Sequence, residues 1–114
     1  MFNPLDFLKV ADQLKGGDEA YRRTSGSRSY YGCFLALRGK LNLDNMAMPK
    51  VHERIIRNLH RQGLYELARA LFHLRKLRNK CDYQTNITIS QEDADNALNL
   101  AYEIKGEIKR IWMN

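Results

Sequence analysis

Every segment of this chain that has a clear period repeats at the spacing of an α-helix, and this restricts the fold more than any other feature. Ser90 and Asp93 form a capping box of the Ser-x-x-acid type. Apolar residues then recur every three or four positions: Ala94, Ala97, Ala101, Ile104, Ile108 and Ile111. Residues 84–89 could be mistaken for a strand, but no other segment would pair with them. The sequence therefore predicts an all-α fold, one bundle of four to five helices over residues 1–114.

The second helix is predicted over residues 18–40, after a short first helix that Asn3 caps and Gly16-Gly17 ends. One face is apolar and carries Tyr30, Cys33, Phe34, Leu37 and Leu41. The opposite face carries small residues at seven-residue spacing: Ser25, Gly32 and Gly39. Small residues let another helix approach closely, so this helix is either the centre of the bundle or part of a dimer interface. The poor helix propensity of residues 24–27 leaves a break there as the alternative.

The middle of the chain is predicted to form two helices and carries most of the positive charge. Pro49 opens the first, over residues 50–62, and Gly63 separates it from the second, over residues 65–82. Residues 50–80 hold nine Lys or Arg against two acidic residues, whereas residues 81–114 hold three against six. This segment would attract a phosphate-bearing or acidic partner, although basic helices also occur without any nucleic-acid role.

The sequence also indicates the compartment of the protein and whether it needs a metal or a cofactor. It has no apolar run of about 18 residues, hence no membrane span, and no signal-peptide pattern, so we expect a cytoplasmic protein. Cys33 and Cys81 lie in apolar helical patterns, which indicates buried reduced thiols. The three His residues lack the paired carboxylates or thiols of a metal site. No glycine-rich phosphate loop is present, and we expect no cofactor.

Arg78 lies at the edge of an apolar stripe and needs a partner. At about 100° per residue it shares a helix face with Leu71 and Leu74, so its guanidinium points toward a helix seam. Asp82, four residues on, is the nearest acid. The two form either a structural or interface ion pair, or a site in which Arg78 holds a phosphate and Asp82 orients it. On a continued helix Tyr83 would point about 140° away from Arg78, so sharing a site requires the helix to end or a partner chain to contribute.

Three motifs, in this order, resemble the HEPN superfamily, most of all its small prokaryotic single-domain members. Residues 27–34 (Ser-Arg-Ser-Tyr-Tyr-Gly-Cys-Phe) are similar to its Arg-Ala-Tyr-Tyr-Ala-x-Phe run. Residues 50–52 (Lys-Val-His) are similar to a Lys-x-His at the start of the next helix. Residues 77–83 (Leu-Arg-Asn-Lys-Cys-Asp-Tyr) are similar to the Arg-x-x-Ala-Asp-Tyr signature. The resemblance covers nearly the whole chain and implies an up-and-down helical bundle that forms a homodimer, here around the second and fourth helices.

The resemblance also implies two classes of function. Many members are RNases of prokaryotic defence or toxin–antitoxin modules, and others pair with a nucleotidyltransferase-like protein. The nuclease members carry an Arg, then four to six residues, then a His, whereas Tyr83 stands five positions after Arg78 here and no His follows. Tyr is a poor general base near neutral pH. The leading hypothesis is an RNA-directed protein, a metal-independent RNase or an RNA binder. The alternative is a non-catalytic module that binds a nucleotidyltransferase-like protein or a nucleotide.

Under the RNA-directed hypothesis the candidate catalytic residues are Arg78, Tyr83, His52 and Asp82, with His52 and Tyr83 as proton-transfer or positioning groups. The candidate phosphate-binding residues are Arg28, Lys50, Arg75 and Lys80. Structural alternatives exist for most of them. A His near a helix start is typical of a surface or capping residue, and Arg28 suits a helix interface. Arg75 and Lys80 are typical of a solvated basic face, and Tyr83 of packing with one hydrogen bond.

Overall fold

The computed structural model describes residues 1–47 and 50–113, and within those residues it contains five α-helices and no strand. A single 3-10 turn at Pro4–Asp6 leads into the first helix. The helices are α1 (Phe7–Leu14), α2 (Glu19–Lys40), α3 (Val51–Arg61), α4 (Tyr65–Tyr83) and α5 (Gln91–Trp112). This helical bundle confirms the predicted fold class. The prediction that Pro49 opens the third helix lies outside the described residues.

The second helix runs unbroken from Glu19 to Lys40, so the alternative of a break near Gly26 is wrong. Asp18 caps it by accepting a hydrogen bond from the backbone N–H of Tyr21 at 3.3 Å. Packing outweighs the weak helix propensity of residues 24–27, because 25–27 are buried against neighbouring helices. The central helix α2 contacts each of the other four.

The small-residue face of α2 is covered by the first helix of the same chain. Ser25 Oγ donates to the backbone carbonyl of Ala11 at 2.7 Å. A Cβ at Gly32 would lie 2.7 Å from Leu8 Cδ1, which shows how closely α1 approaches. Of the two roles predicted for this helix, the structure therefore assigns the centre of the bundle to α2, while homodimer formation stays a prediction.

Helix α4 packs closely against α2 at Gly26. A Cβ on Gly26 would lie 2.5 Å from the sulfur of Cys81, so a larger residue there would force Cys81 or one of the helices to shift. One residue further along each helix, Ser27 Oγ donates to Asp82 Oδ2 at 3.3 Å. Cys81 is buried as predicted, as is Cys33, and burial raises the pKa of both thiols. This contact places the C-terminal end of α4, which carries the motif of residues 77–83, against the middle of α2.

Arg23 fastens the end of α4, and the connector after it, to α2. Its guanidinium donates to four backbone carbonyls, those of Lys80, Cys81, Gln84 and Ile87, at 2.7 to 3.2 Å. It also forms an ion pair with Glu19 at 3.1 Å, and Glu19 accepts the backbone N–H of Ile89 at 2.8 Å. The Ile89 hydrogen bond lowers the pKa of Glu19 despite an opposing desolvation effect. We call Arg23 and Glu19, with these backbone groups, the Arg23 clamp.

The last helix forms as predicted from its capping box and apolar stripe. Ser90 Oγ accepts from the backbone N–H of Asp93 at 3.1 Å, and Asp93 Oδ2 accepts from that of Ser90 at 2.9 Å. The stripe residues from Ala94 to Ile108 are buried, and Ile111 is half-buried. Within the described residues, no helix combines the length and apolarity that crossing a membrane requires.

Candidate functional site

The three sequence motifs meet in one pocket of about 320 Å³ between α2, α3 and α4. Tyr30, Tyr31 and Phe34 line it from α2, His52 lines it from α3, and α4 contributes Arg75, Arg78, Asn79 and Tyr83. We call it the tyrosine pocket. A larger cavity of about 580 Å³ lies between α4 and α5, but none of the motif residues lines it. The tyrosine pocket is therefore the candidate site, because it unites residues far apart in sequence.

Arg78 is held by four side chains. Its Nε lies 2.7 Å from Asp82 Oδ2, so the predicted ion pair forms. Nη2 donates to the hydroxyls of Tyr31 at 2.6 Å and Tyr83 at 3.2 Å, and Nη1 donates to Asn79 Oδ1 at 3.2 Å. A guanidinium has five N–H groups, two of them on Nη1. With the ion pair to Asp82 counted at Nε, one N–H on Nη1 is not used by these four side chains.

Three aromatic rings surround the same guanidinium. Its central carbon lies 5.5 Å from the ring centre of Tyr30, 5.0 Å from that of Tyr31 and 5.2 Å from that of Tyr83. Cation–π attraction at these distances adds to the hydrogen bonds. Burial by itself lowers the pKa of Arg78, but Tyr31, Asp82 and Tyr83 more than compensate, and the net shift is upward. Arg78 is a fixed positive charge.

Tyr83 is the last residue of α4, and its hydroxyl reaches Arg78 Nη2 at 3.2 Å. The next residue, Gln84, has φ −95° and ψ 85°, which is not helical. The two side chains meet although a continued helix would separate them by about 140°. The sequence analysis allowed Arg78 and Tyr83 to share a site if the helix ends at this point, and α4 does end here. Tyr83 is 67% exposed and stands at the rim of the pocket, whereas Tyr30 is 4% exposed, on the core face as predicted.

His52 is buried, and its prediction as a surface or capping residue is wrong. Only 4% of the residue is exposed, because α3 packs its first turn inward, with Val51 fully buried beside it. His52 Nδ1 lies 3.0 Å from the hydroxyl of Tyr30. Burial, aided by the nearby positive charge of Arg75, lowers the pKa of His52 to about 4. Burial also raises the pKa of Tyr30. At neutral pH the pair is uncharged.

Arg75 is the cation of the pocket with unused donors. It is half-buried rather than fully exposed, and it lines the pocket beside His52. Within residues 1–47 and 50–113 it has neither a hydrogen bond nor an ion pair. The reason for its burial is its angular position on α4, which turns it toward α3 rather than toward solvent.

The other three predicted phosphate-binding residues lie outside the pocket. Arg28 stacks between two rings, with its central carbon 5.0 Å from Tyr31 and 5.2 Å from Phe7, so it supports the back of Tyr31. Lys50 is exposed immediately before α3, and Lys80 is exposed near the end of α4. Of the four residues, Arg75 alone is among those that line the pocket, within the part of the chain that the structure describes.

Sequence reasoning gave no role to Tyr31 and Asn79, which bind Arg78. A signal for Tyr31 exists: Ser27, Tyr31 and Phe34 are spaced i, i+4 and i+7, so they share the side of α2 that faces α4. A similar signal exists for His52, which shares its face of α3 with Ile56 and Leu59 at i+4 and i+7. Asn79 has no comparable signal, since it lies beside Arg78 in sequence.

The chemistry available in the pocket is that of cations, phenols and a neutral imidazole. Guanidinium groups bind phosphate oxygens through charge-assisted hydrogen bonds, and aromatic rings stack on bases. The neutral His52 can accept a proton. Among the residues described, no group of three His, Cys, Asp or Glu side chains is placed to hold a metal ion.

Comparisons with known proteins agree with the three motifs. The family model described as HEPN domain matches residues 5–111 of the chain. An uncharacterized protein of the archaeon Methanocaldococcus jannaschii is 36% identical, in an alignment that covers 74% of this chain and 64% of the archaeal protein. This chain therefore corresponds to less than two thirds of that relative. No solved structure matches the chain at a significant level.

Proposed function

Because this chain belongs to the HEPN family, we propose that it is an RNA-directed protein that binds an RNA phosphate in the tyrosine pocket. The observation that carries the proposal is Arg75, a half-buried residue that lines the pocket and whose guanidinium has no hydrogen bond or ion pair within the described residues. Its N–H donors are not used by the protein, and an anion in the pocket would accept charge-assisted hydrogen bonds from them. The HEPN RNases that the chain resembles act on RNA, whose backbone offers such an anion at every nucleotide.

In this proposal Arg75 contacts the phosphate and Arg78 holds the pocket in shape. Arg78 already binds Asp82, Asn79 and two tyrosines, so it adds one N–H and a fixed charge. This assignment differs from the sequence hypothesis, in which Arg78 is the main phosphate contact. A guanidinium with free donors pairs with phosphate in a forked geometry, whereas an occupied one acts mainly through its field.

Cleavage would be slow if it occurs in this pocket. Metal-independent cleavage needs one group to accept the proton of the 2′-hydroxyl and another to protonate the leaving oxygen. His52 is neutral and can accept a proton, but a pKa of about 4 makes it a weak base, and its Nδ1 faces Tyr30. The pocket chemistry thus supports binding more strongly than turnover.

A specific observation favours the non-catalytic alternative as the second candidate. Arg78, the central residue of the signature, has four partners within the chain, as a purely structural residue would. The protein would then be an interaction module for a nucleotidyltransferase-like protein or a nucleotide. Membership of a defence or toxin–antitoxin module belongs to the RNA-directed proposal, and assembly as a homodimer is proposed for both candidates.

The test is binding and cleavage of labelled single-stranded RNA in EDTA, by fluorescence anisotropy and gel electrophoresis. We expect Arg75→Gln to weaken binding about tenfold, the loss of one charge-assisted contact. The matched control is Lys9→Gln, which removes an exposed cation on α1, outside the pocket, and should change affinity less than about twofold. Equal affinities of the two variants would contradict the proposal, and absence of RNA binding by the unmodified protein would favour the interaction module.

A further inference from the structure

The exposed side of α4 carries aromatic and cationic residues along one line. We call this the outer face of α4, and it consists of Tyr65, Arg69, Phe72, Lys76 and Tyr83. Steps of three, four and seven residues keep these positions within about 60° of one another around the helix. The line is about 27 Å long at 1.5 Å per residue. It ends at the tyrosine pocket, because Tyr83 lines that pocket.

The aromatic residues of the outer face are available for contact. Tyr65 is 60% exposed, Phe72 45% and Tyr83 67%. Lys76 Nζ lies 4.7 Å from the ring centre of Phe72. Arg69 and Lys76 are exposed, and within the described residues neither has an ion pair. A single exposed aromatic residue needs no explanation, but three in line with cations between them form a patch of defined chemistry.

We propose that the outer face of α4 is a track for single-stranded RNA that leads a strand into the tyrosine pocket. Bases stack on Tyr65 and Phe72 while Arg69 and Lys76 contact the backbone. Proteins that bind single strands combine cations along the backbone with aromatic platforms for the bases. A duplex offers no free base faces to such platforms. The inference rests on the proposed function for the identity of its ligand, and it names that ligand as an extended single strand.

Charge favours RNA over a second copy of the chain as the occupant. If the outer face packed on its own copy about a two-fold axis, both partners would bring the same basic surface to the contact. The outer face itself carries two cations, Arg69 and Lys76, and no acidic residue. Such a contact places like charges together, whereas a polyanion neutralises them.

The chain provides a matched control on its last helix. Tyr102 is 42% exposed, close to the value of Phe72, and Lys105 Nζ lies 5.9 Å from its ring centre. This aromatic–lysine pair belongs to α5, where Glu103 and Glu107 are neighbours in sequence. Its surroundings are therefore mixed in charge rather than purely basic. Tyr102→Ala removes a comparable aromatic side chain from a surface that should not bind RNA.

The experiment compares two labelled single-stranded RNAs, one of about 12 nucleotides, long enough to follow the outer face, and one of about three, which fits the pocket alone. Phe72→Ala should weaken binding of the long RNA about tenfold and leave the short one unchanged. Tyr102→Ala should change neither by more than about twofold. Circular dichroism and light scattering establish that both variants are folded and keep the mass of the unmodified protein.

The outcomes separate this inference from the proposed function. If Arg75→Gln weakens both RNAs but Phe72→Ala weakens neither, the pocket binds RNA and the track is refuted. If Phe72→Ala changes the molecular mass in solution instead of RNA affinity, the outer face is a contact between copies, and the track is refuted. If the unmodified protein binds neither RNA, both proposals fail.

Discussion

Arg23 and Arg78 both serve the contact between α2 and α4, but they do so with different partners. Their side chains are similarly buried, 19% and 14% exposed, and each pairs with an acid four residues away. Arg23 directs its remaining donors to backbone carbonyls, whereas Arg78 directs its donors to side-chain oxygens at a pocket. A backbone carbonyl is held in place by the main chain, whereas the hydroxyl or ring of a tyrosine at a pocket can contact a ligand as well as the arginine. The comparison teaches that partner type, and not burial or charge, separates a structural arginine from one in a candidate site.

Breaking the Arg23 clamp should have the largest effect on stability. Arg23→Met removes the partner of four carbonyls and of Glu19, and we expect the free energy of unfolding to fall by about 3 kcal/mol. Urea denaturation measures the change. Arg61→Met, at an exposed arginine of α3, should cost less than about 0.5 kcal/mol. If the two variants were equally stable, the clamp would not hold the end of α4.

Acidification should destabilise the folded protein through His52, which packs in the tyrosine pocket. Its pKa is about 4 in the folded protein, below the ordinary 6.5. Between these values the unfolded chain binds a proton that the folded chain does not, so stability is lost as the pH falls from about 6.5 toward 4. The loss from this residue approaches about 2 to 3 kcal/mol at pH 4.

Denaturation of His52→Gln at pH 7 and pH 4.5 isolates this contribution. The variant should lose less stability on acidification than the unmodified protein. Replacement of the exposed His73 by Gln should leave the pH dependence unchanged. An identical acid sensitivity in the His52 variant would show that this residue is not held neutral.

Separating α2 from α4 tests the close approach on which both arginines depend. Gly26→Ala places a Cβ 2.5 Å from the sulfur of Cys81, and we expect a loss of about 1 to 2 kcal/mol even after the gain in helix propensity. Gly106→Ala on α5 meets open space and should stabilise the protein by up to about 1 kcal/mol. The midpoint temperature of thermal unfolding should fall for Gly26→Ala and rise for Gly106→Ala. A change in the same direction for both variants would contradict the close approach of α2 and α4.

The smallest expected effect on stability comes from removing either of the two tyrosine hydroxyls that accept hydrogen bonds from Arg78. Tyr31 is half-buried and its hydroxyl lies 2.6 Å from Nη2, so Tyr31→Phe should cost about 1 kcal/mol. The hydroxyl of the exposed Tyr83 lies 3.2 Å away, and Tyr83→Phe should cost less than about 0.5 kcal/mol. Both variants keep the ring against the guanidinium. Urea denaturation of the two proteins under identical conditions decides the order.

The core of the candidate site could be predicted from sequence where the signal is local. The spacing of Arg78 and Asp82 predicts their ion pair, and the apolar pattern of α2 places Tyr30 inside. The Arg23 clamp could not be predicted, because most of its partners are backbone carbonyls about 60 residues away, which every residue type carries. The partial burial of Arg75 could not be predicted for a related reason: α3, which lines the same pocket, is a separate element.

The sequence by itself determined the helices, their capping and the faces they present. These depend on residues within one or two turns, and periodicity and capping residues report such interactions directly. Only the tertiary structure decided which of these faces meet. The glycine contact sets α4 against α2, and the packing of α3 buries His52 beside Arg75. A residue's burial and pKa depend on neighbours distant in the chain, so the pocket exists only once the helices have packed together.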